Sequence, residues 1–152
     1  MGWGGAGAAT AGFVGAQHGW AYRAHLRRLV TFSLDGKLEL PPSKPPFYPQ
    51  PLAVPGFEVD ETLATAGGET YTLKCMMCHG AGGASAGQAP DLRASPTMLA
   101  MDSLKDIVLD GSRRSMGMPR FEEITDDDLV AVQHYIRQQA NTPSPCKACQ
   151  AK

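Results

Sequence analysis

The stretch Lys74-Cys75-Met76-Met77-Cys78-His79-Gly80 decides how this chain of 152 residues is interpreted. It places two thiols and an imidazole within five consecutive residues. Two such thiols can add across the vinyl groups of a haem, while the adjacent imidazole binds the iron. The motif therefore predicts a covalent haem c on Cys75 and Cys78, with His79 as an axial ligand.

Two other kinds of site also contain a Cys-x-x-Cys pair, namely zinc sites and redox-active dithiols. Zinc would need two more ligands, and the only other cysteines, Cys146 and Cys149, lie far along the chain. A thioredoxin-like dithiol is expected among alternating strands and helices, whereas the flanks here have helical patterns. The motif favours haem, and zinc or a dithiol are its alternatives.

A second axial ligand has to come from the far side of the ring. Gly117-Met118-Pro119 offers a soft sulfur donor on a restricted backbone, because proline disfavours helix at the preceding residue. Met118 is the predicted ligand. Met116 is its competitor, because side chains two residues apart in an extended segment point to the same side. His134, expected on the solvent side of the last helix, and His18, in a Gly-rich segment, are weaker candidates. Four further methionines are expected to pack rather than bind: Met76, Met77, Met98 and Met101.

An iron with histidine and methionine ligands has no open coordination position, which favours electron transfer over chemistry at the iron. Nothing in the sequence supplies an acid–base pair for a peroxidase-like reaction. We therefore predict no catalytic residues in this chain.

The net charge of −1 favours neither nucleic acid nor an anionic membrane as a partner. No run of about 18 apolar residues is present in the sequence, so no transmembrane segment is expected. The first ten residues lack the basic and apolar regions of a secretory signal. Because haem is normally attached outside the cytoplasm, we expect a periplasmic protein whose export signal lies upstream in a longer parent. The alternative is that Met1 is not the native start.

Charge is distributed unevenly along the chain. Residues 57–140 hold thirteen acidic and seven basic residues, a net of −6, whereas residues 1–56 hold two and five, a net of +3. Opposite charges would help the two parts pack together, although ordinary scatter of surface charge explains the difference equally well.

The front of the chain is predicted to be an extension that contains one strand. Val30, Phe32 and Leu34 alternate with polar residues, and Asp35-Gly36 closes the run. This pattern predicts a half-buried strand over 28–35 that ends in a turn. A single strand is not stable alone, so its partner strands must come from elsewhere.

Seven prolines between residues 41 and 55 predict a stiff, extended connector. The connector marks the clearest domain boundary. We expect a mostly α protein with four parts: a strand-containing, Gly/Pro-rich segment (1–40), a linker (41–56), a small helical domain (57–141) and a flexible tail (142–152).

The helical domain begins with Asp60, which can cap a helix over 61–74 despite a glycine pair at its centre. A loop is predicted over 80–90. Ser95-Pro96 predicts the start of a second helix, which ends at Gly111. Thr125 and Asp128 resemble a capping box for the last helix. The apolar faces are predicted to be Leu104, Ile107 and Val108 in the second helix, and Leu129, Val132, Tyr135 and Ile136 in the last.

From Gly67 onward, the order of these features resembles a class I cytochrome c. Gly67-x-x-x-Tyr71-x-x-x-Cys75 is similar to that family's first helix, where the glycine lets the last helix cross closely through an aromatic residue. Tyr135 stands in the matching place. The resemblance explains a glycine at a helix centre.

Ala89-Pro90-Asp91-Leu92-Arg93 resembles the family's loop in which a proline carbonyl accepts the ring N–H of the haem histidine. The resemblance implies that Pro90 fixes the tautomer of His79. It also implies that Leu92 packs on the haem ring. Arg93 either reaches a haem propionate or is an ordinary surface arginine.

The similarity narrows to the C-terminal cytochrome domain of PQQ-dependent quinohaemoprotein alcohol dehydrogenases. It rests on Pro90-Asp-Leu-Arg, Ile107-Val-Leu-Asp-Gly-Ser-Arg and Gly117-Met-Pro-Arg-Phe121. Residues 1–40 resemble the end of that family's β-propeller. In that family the propeller holds PQQ and calcium and oxidises an alcohol, and the haem passes the electrons onward.

The resemblance implies that this chain takes electrons from a PQQ-binding propeller, as a domain or as a separate subunit. It would pass them to a small redox protein or a respiratory chain. Alternatives are a free-standing periplasmic carrier and a subunit that completes a split PQQ dehydrogenase. Alone, the chain should not oxidise alcohols.

The tail departs from the family pattern. Gln150 stands where a histidine would follow Cys146-Lys-Ala-Cys149, so a second haem is not expected. The pair is expected to form a local disulfide or to stay in a mobile end, with disulfide exchange as an alternative.

Overall fold

A computed structural model describes residues 22–23, 29, 31–42, 49–85 and 87–142. These ranges contain four α-helices: α1 (Glu61–Lys74), α2 (Met76–His79), α3 (Met101–Val108) and α4 (Asp126–Ala140). Three short 3₁₀ helices lie between them, at Ala81–Gly83, Pro96–Leu99 and Arg114–Met116. No strand occurs within the described ranges. The predicted mostly α fold is confirmed.

Both long helices begin at the predicted caps. The Asp60 carboxylate accepts hydrogen bonds from the amides of Thr62 and Leu63. At α4, the Thr125 hydroxyl accepts from the Asp128 amide, and the Asp128 carboxylate accepts from the Thr125 amide. The capping box therefore forms with aspartate in the place of the usual glutamate or glutamine.

The two long helices cross in direct backbone contact at Gly67. A Cβ atom on Gly67 would lie only 2.0 Å from the Ala131 carbonyl oxygen. The neighbouring Gly68 faces the Tyr135 ring instead, at 3.2 Å from the same kind of added Cβ. The Tyr71 and Tyr135 rings lie beside this crossing with their centroids 5.1 Å apart.

Apolar side chains around this crossing form the core of the domain. Tyr71 and Ile136 are fully buried, and the two apolar faces predicted for α3 and α4 contribute most of the remainder. The buried members of the core are Tyr71, Met98, Leu104, Val108, Ile124, Leu129, Val132 and Ile136. Ile107 and Tyr135 are partly buried against them.

The predicted second helix is divided in two. Ser95-Pro96 begins a 3₁₀ helix that ends at Leu99, the backbone of Ala100 is extended, and α3 starts only at Met101. Gln133 of α4 donates a hydrogen bond to the Met98 carbonyl at 2.8 Å, and the Met98 side chain is buried in the core. Because a contact with α4 holds this turn, a continuous helix from Ser95 was the wrong prediction.

The predicted strand at 28–35 is not formed in the part of it that the structure describes, residues 29 and 31–35. The predicted turn is present, since the Gly36 amide donates to the Ser33 carbonyl at 3.1 Å. The side chains of Leu29, Phe32 and Leu34 are 90% or more exposed. A strand forms only with a neighbouring strand to accept its hydrogen bonds, and the described ranges offer none.

The later half of the proline-rich linker lies against the helical domain. The Leu52 amide donates to the Arg93 carbonyl at 3.0 Å, and the Arg137 guanidinium donates to the Leu52 carbonyl at 3.2 Å. The Phe57 ring contacts the His134 ring in a tilted arrangement, with a centroid separation of 5.0 Å and an interplanar angle of 50°. These contacts join residues 52–57 to α4.

Candidate haem site

The three residues of the Cys-x-x-Cys-His motif lie at the junction of α1 and α2. Cys75 ends α1 and begins α2, and its carbonyl accepts hydrogen bonds from the amides of Cys78 and His79. Both cysteines are partly buried with free thiols, and His79 is buried. The single turn of α2 thus presents both thiols and the imidazole together.

The environment of the thiols disfavours the dithiol alternative. Burial, with a smaller contribution from Cys78, raises the pKa of Cys75 to about 11. Reactive dithiol centres need the opposite, a lowered thiol pKa that makes a thiolate available near neutral pH. The environment of Cys75 therefore argues against a redox-active dithiol.

The His79 ring is oriented by the loop after it. Its Nδ1 lies 3.0 Å from the Pro90 carbonyl oxygen. A carbonyl oxygen only accepts, so Nδ1 carries the proton and Nε2 presents its lone pair. Burial lowers the pKa of His79, which keeps the imidazole neutral. A neutral imidazole with a free Nε2 is the form that binds a metal.

Two interactions hold the Pro90 loop in position. The Leu92 amide donates to the Gly83 carbonyl at 2.9 Å, which ties the loop to the chain that follows His79. The Arg93 guanidinium forms a bidentate pair with the Asp91 carboxylate, at 3.1 and 2.7 Å. Both paired side chains are more than nine-tenths buried.

Arg93 is therefore not the ordinary surface arginine that was one of its two expected roles. Its guanidinium is already engaged by Asp91, and its carbonyl accepts hydrogen bonds from Leu52 and Arg137. Leu92 is partly buried and packs against the core. Sequence reasoning overlooked Asp91, although its spacing of two residues from Arg93 was visible.

The structure separates the two methionines considered as the second axial ligand. Met118 is partly buried and packs against the core, whereas Met116 is 64% exposed. The Met116 sulfur accepts a hydrogen bond from Arg113 at 3.4 Å. The chain after Met118 is fastened to the end of α3, since the Phe121 amide donates to the Val108 carbonyl at 3.0 Å. Burial and anchoring favour Met118.

The histidine competitors are less favourable. His134 is partly buried, and its Nδ1 accepts the Asp60 amide hydrogen bond at 3.0 Å, so that nitrogen is already occupied. His18 lies outside the described residues. Of the methionines expected to pack, Met76, Met98 and Met101 do so, while Met77 is 53% exposed.

The Tyr71 hydroxyl is a contact of this site that sequence reasoning missed. The side chain is fully buried, and the hydroxyl donates to the carbonyl of Gly80, the residue after His79. Burial raises the pKa of Tyr71 well above its usual value, so the phenol stays protonated. A buried tyrosine needs a hydrogen-bond partner, which was the available signal.

Clusters of three or more metal-binding side chains (His, Cys, Asp, Glu) are absent from the described part of the chain. Cys146 and Cys149, the remaining cysteines of the zinc alternative, lie outside it. A haem iron needs only two axial ligands from the protein, and His79 with the two thiols of the same turn fits the covalently attached side of a haem c.

Comparison with known proteins agrees with this geometry. The family described as cytochrome c oxidase, cbb3-type, subunit III matches residues 62–136. The dehydrogenase subunit of the quinone-dependent alcohol dehydrogenase from Acetobacter aceti is 33% identical over 93% of this chain. The chain belongs to the cytochrome c family.

Two further relatives are the quinohaemoprotein alcohol dehydrogenase ADH IIB of Pseudomonas putida, 33% identical over 89% of the chain, and the lupanine 17-hydroxylase [cytochrome c] of a Pseudomonas species, 39% identical over 76%. The chain spans only 19%, 19% and 16% of the lengths of these three relatives. It therefore corresponds to a cytochrome domain of quinohaemoprotein dehydrogenases.

Among the helices of the described ranges, none has the length and apolar character that a membrane span requires.

Proposed function

We propose that this chain transfers single electrons through one haem c, bound covalently by Cys75 and Cys78 and ligated by His79 and Met118. The observation that carries the proposal is the His79 ring, whose Nδ1 contacts the Pro90 carbonyl while the adjacent turn holds both thiols. When bound, the haem supplies a one-electron iron couple.

The protein's own contribution is to hold the ligands still. Pro90 keeps the proton on Nδ1 of His79, so that Nε2 stays directed away from the loop. The Tyr71 hydroxyl holds the carbonyl of Gly80, the residue that follows His79. A rigid ligand set keeps the site geometry similar in both oxidation states, which reduces the reorganisation that electron transfer requires.

We further propose that the electrons come from a PQQ- and calcium-binding propeller, present as another domain or subunit in the periplasm. Two observations support this proposal. The quinone-dependent alcohol dehydrogenase relatives are about five times as long as this chain, and the extension exposes large apolar side chains. Leu29, Leu34 and Leu38 are each about 100% exposed, which an independent carrier would have no reason to maintain.

On this proposal, residues 1–40 complete the partner, 41–56 link it, 57–141 hold the haem, and 142–152 form a tail. A free-standing carrier remains the alternative if the isolated chain proves monomeric and stable without a propeller. Co-purification of the chain with the product of an adjacent propeller gene would distinguish the two functions.

Expression with the cytochrome c maturation machinery tests the haem directly. Pyridine haemochrome analysis should give one haem c per chain, and the reduced protein should show a low-spin spectrum that carbon monoxide leaves unchanged near neutral pH. Met118→Ala should produce a high-spin or ligand-exchanged iron. Met116→Ala, at an exposed methionine two residues away, is the matched control and should leave the spectrum unchanged. The reverse result would make Met116 the ligand, and absence of haem would refute the proposal.

A further inference from the structure

The basic side chains of the helical domain are almost all engaged within the molecule. Lys74 pairs with Glu123 at 2.7 Å, and Lys105 pairs with Asp126 at 2.6 Å. The other engaged cations are Arg93 with Asp91, Arg120 with Glu122 and the Leu109 carbonyl, and Arg137 with two backbone carbonyls. Five of the seven basic residues between 57 and 140 are thereby accounted for.

The remaining two, Arg113 and Arg114, are adjacent and exposed. Neither forms an ion pair with any residue in the described ranges. Between Gly111 and Arg120 the sequence contains no acidic residue. In a domain with a net charge of −6, this segment is a local concentration of unpaired positive charge.

An exposed apolar side chain lies within the same segment. Every residue from 112 to 117 is exposed, and Met116 is exposed by 64% with its sulfur against the Arg113 guanidinium. Large exposed apolar side chains beside uncommitted arginines are characteristic of the energetically important parts of protein interfaces.

The segment is also held in a defined shape. The Arg114 amide donates to the Gly111 carbonyl at 3.0 Å, and the Met116 and Met118 amides both donate to the Arg113 carbonyl, at 2.9 and 3.3 Å. Gly117 then takes a left-handed conformation, with φ of 92°, as the chain turns inward to Met118. The exposed turn and the candidate iron ligand are thus one continuous, hydrogen-bonded unit.

We infer that residues 112–117, named here the arginine turn, form the docking surface for an acidic redox protein, with Arg113 and Arg114 contacting its carboxylates around Met116. Charge complementarity selects this partner, because the rest of the domain would repel it. The inference rests on the proposed electron transfer: one electron passes from the reduced haem to the docked partner, leaving ferric haem and a reduced partner.

Small redox reagents of opposite charge test the surface. Stopped-flow oxidation of the reduced holoprotein by hexacyanoferrate(III), a trianion, should slow about threefold in Arg113→Gln and in Arg114→Gln at low ionic strength. The difference should shrink above about 0.5 M salt. Oxidation by the trication tris(phenanthroline)cobalt(III) should not slow. Lys105→Gln removes the same charge elsewhere and is the control, which should change the hexacyanoferrate(III) rate by less than about 1.5-fold.

A second measurement does not depend on electron transfer. Titration with hexacyanocobaltate(III), a redox-inert trianion, should shift the NMR signals of the amides of 112–117 in the wild-type chain, and these shifts should be lost in Arg113→Gln. Equal slowing by Lys105→Gln, equal slowing with both oxidants, or anion-induced shifts elsewhere would each overturn the inference. A chain without haem would instead refute the proposed function, so the two failures are distinguishable.

Discussion

Replacing Gly67 with alanine tests whether the crossing of α1 and α4 holds the haem domain together. The added Cβ would lie 2.0 Å from the Ala131 carbonyl oxygen and 2.7 Å from the Val132 nitrogen. Non-bonded heavy atoms pack at about 3.5 Å, so the helices would have to separate by roughly 1.5 Å. Both contacting atoms belong to backbone, which leaves no side chain that could move aside.

The cost in stability follows from the packing contacts that the separation of the helices would weaken. A gap of about 0.5–1 Å already removes a quarter to a half of the packing attraction across it. The crossing buries Tyr71, Leu129 and Ile136 almost completely, so we expect a loss of about 3 kcal/mol or more. Alanine regains only about 1 kcal/mol of helix propensity relative to glycine. The net loss of about 2 kcal/mol or more compares with an ordinary domain's stability of about 5–15 kcal/mol.

Urea denaturation followed by circular dichroism measures the loss, and the yield of covalent haem provides an independent readout. Gly68→Ala is the matched control, because its Cβ would lie 3.2 Å from the Tyr135 ring, a side chain that can rotate away. We expect Gly68→Ala to change stability by less than about 1 kcal/mol. If Gly67→Ala proved as stable as Gly68→Ala, the backbone contact would not be what holds the helices.

Two further predictions concern α4. Hydrogen bonding to Thr125 lowers the pKa of Asp128, so this bond adds stability above the ordinary aspartate pKa of about 4 that is lost as the pH falls through the lowered value. Asp128→Ala should therefore cost about 1 kcal/mol in urea denaturation at pH 7 and less in acid. An equal effect in Asp127→Ala would contradict a specific cap. Arg137→Leu leaves the Leu52 carbonyl without its buried donor, so we expect the free energy of unfolding to fall by about 2 kcal/mol. Hydrogen exchange of the Leu52 amide should become faster, and unchanged exchange would show that Arg137 does not fasten the linker.

Local signals predicted much of the fold. The caps at Asp60 and Thr125 each need only residues within three positions of the helix start, and both form as expected. The apolar stripes of α3 and α4 are likewise set by helical periodicity. Where a distant contact competes with local preference, prediction failed: Gln133 holds the Met98 carbonyl and divides the second helix.

The candidate site shows the same division. Cys75, Cys78 and His79 lie so close in the sequence that their shared chemistry can be predicted from it. The resemblance to cytochromes c predicted the contact between the Pro90 carbonyl and the His79 ring. The sequence favoured Met118 because Pro119 follows it, but left Met116 as a competitor. The structure adds burial, since Met118 packs against the core and Met116 is 64% exposed. The role of Arg93 could be read only from the structure, because its guanidinium pairs with Asp91 and its carbonyl accepts a hydrogen bond from Leu52 of the linker.

The sequence alone determined that two thiols and a histidine lie together, because one turn of chain is enough to bring them together. It also determined where the long helices start. Only the tertiary structure decided which methionine lies inside, that Gly67 meets backbone, and that Arg113 and Arg114 form no ion pair within the described residues. Those properties depend on which residues the folded chain brings close, and on which carboxylates are paired with the other basic side chains.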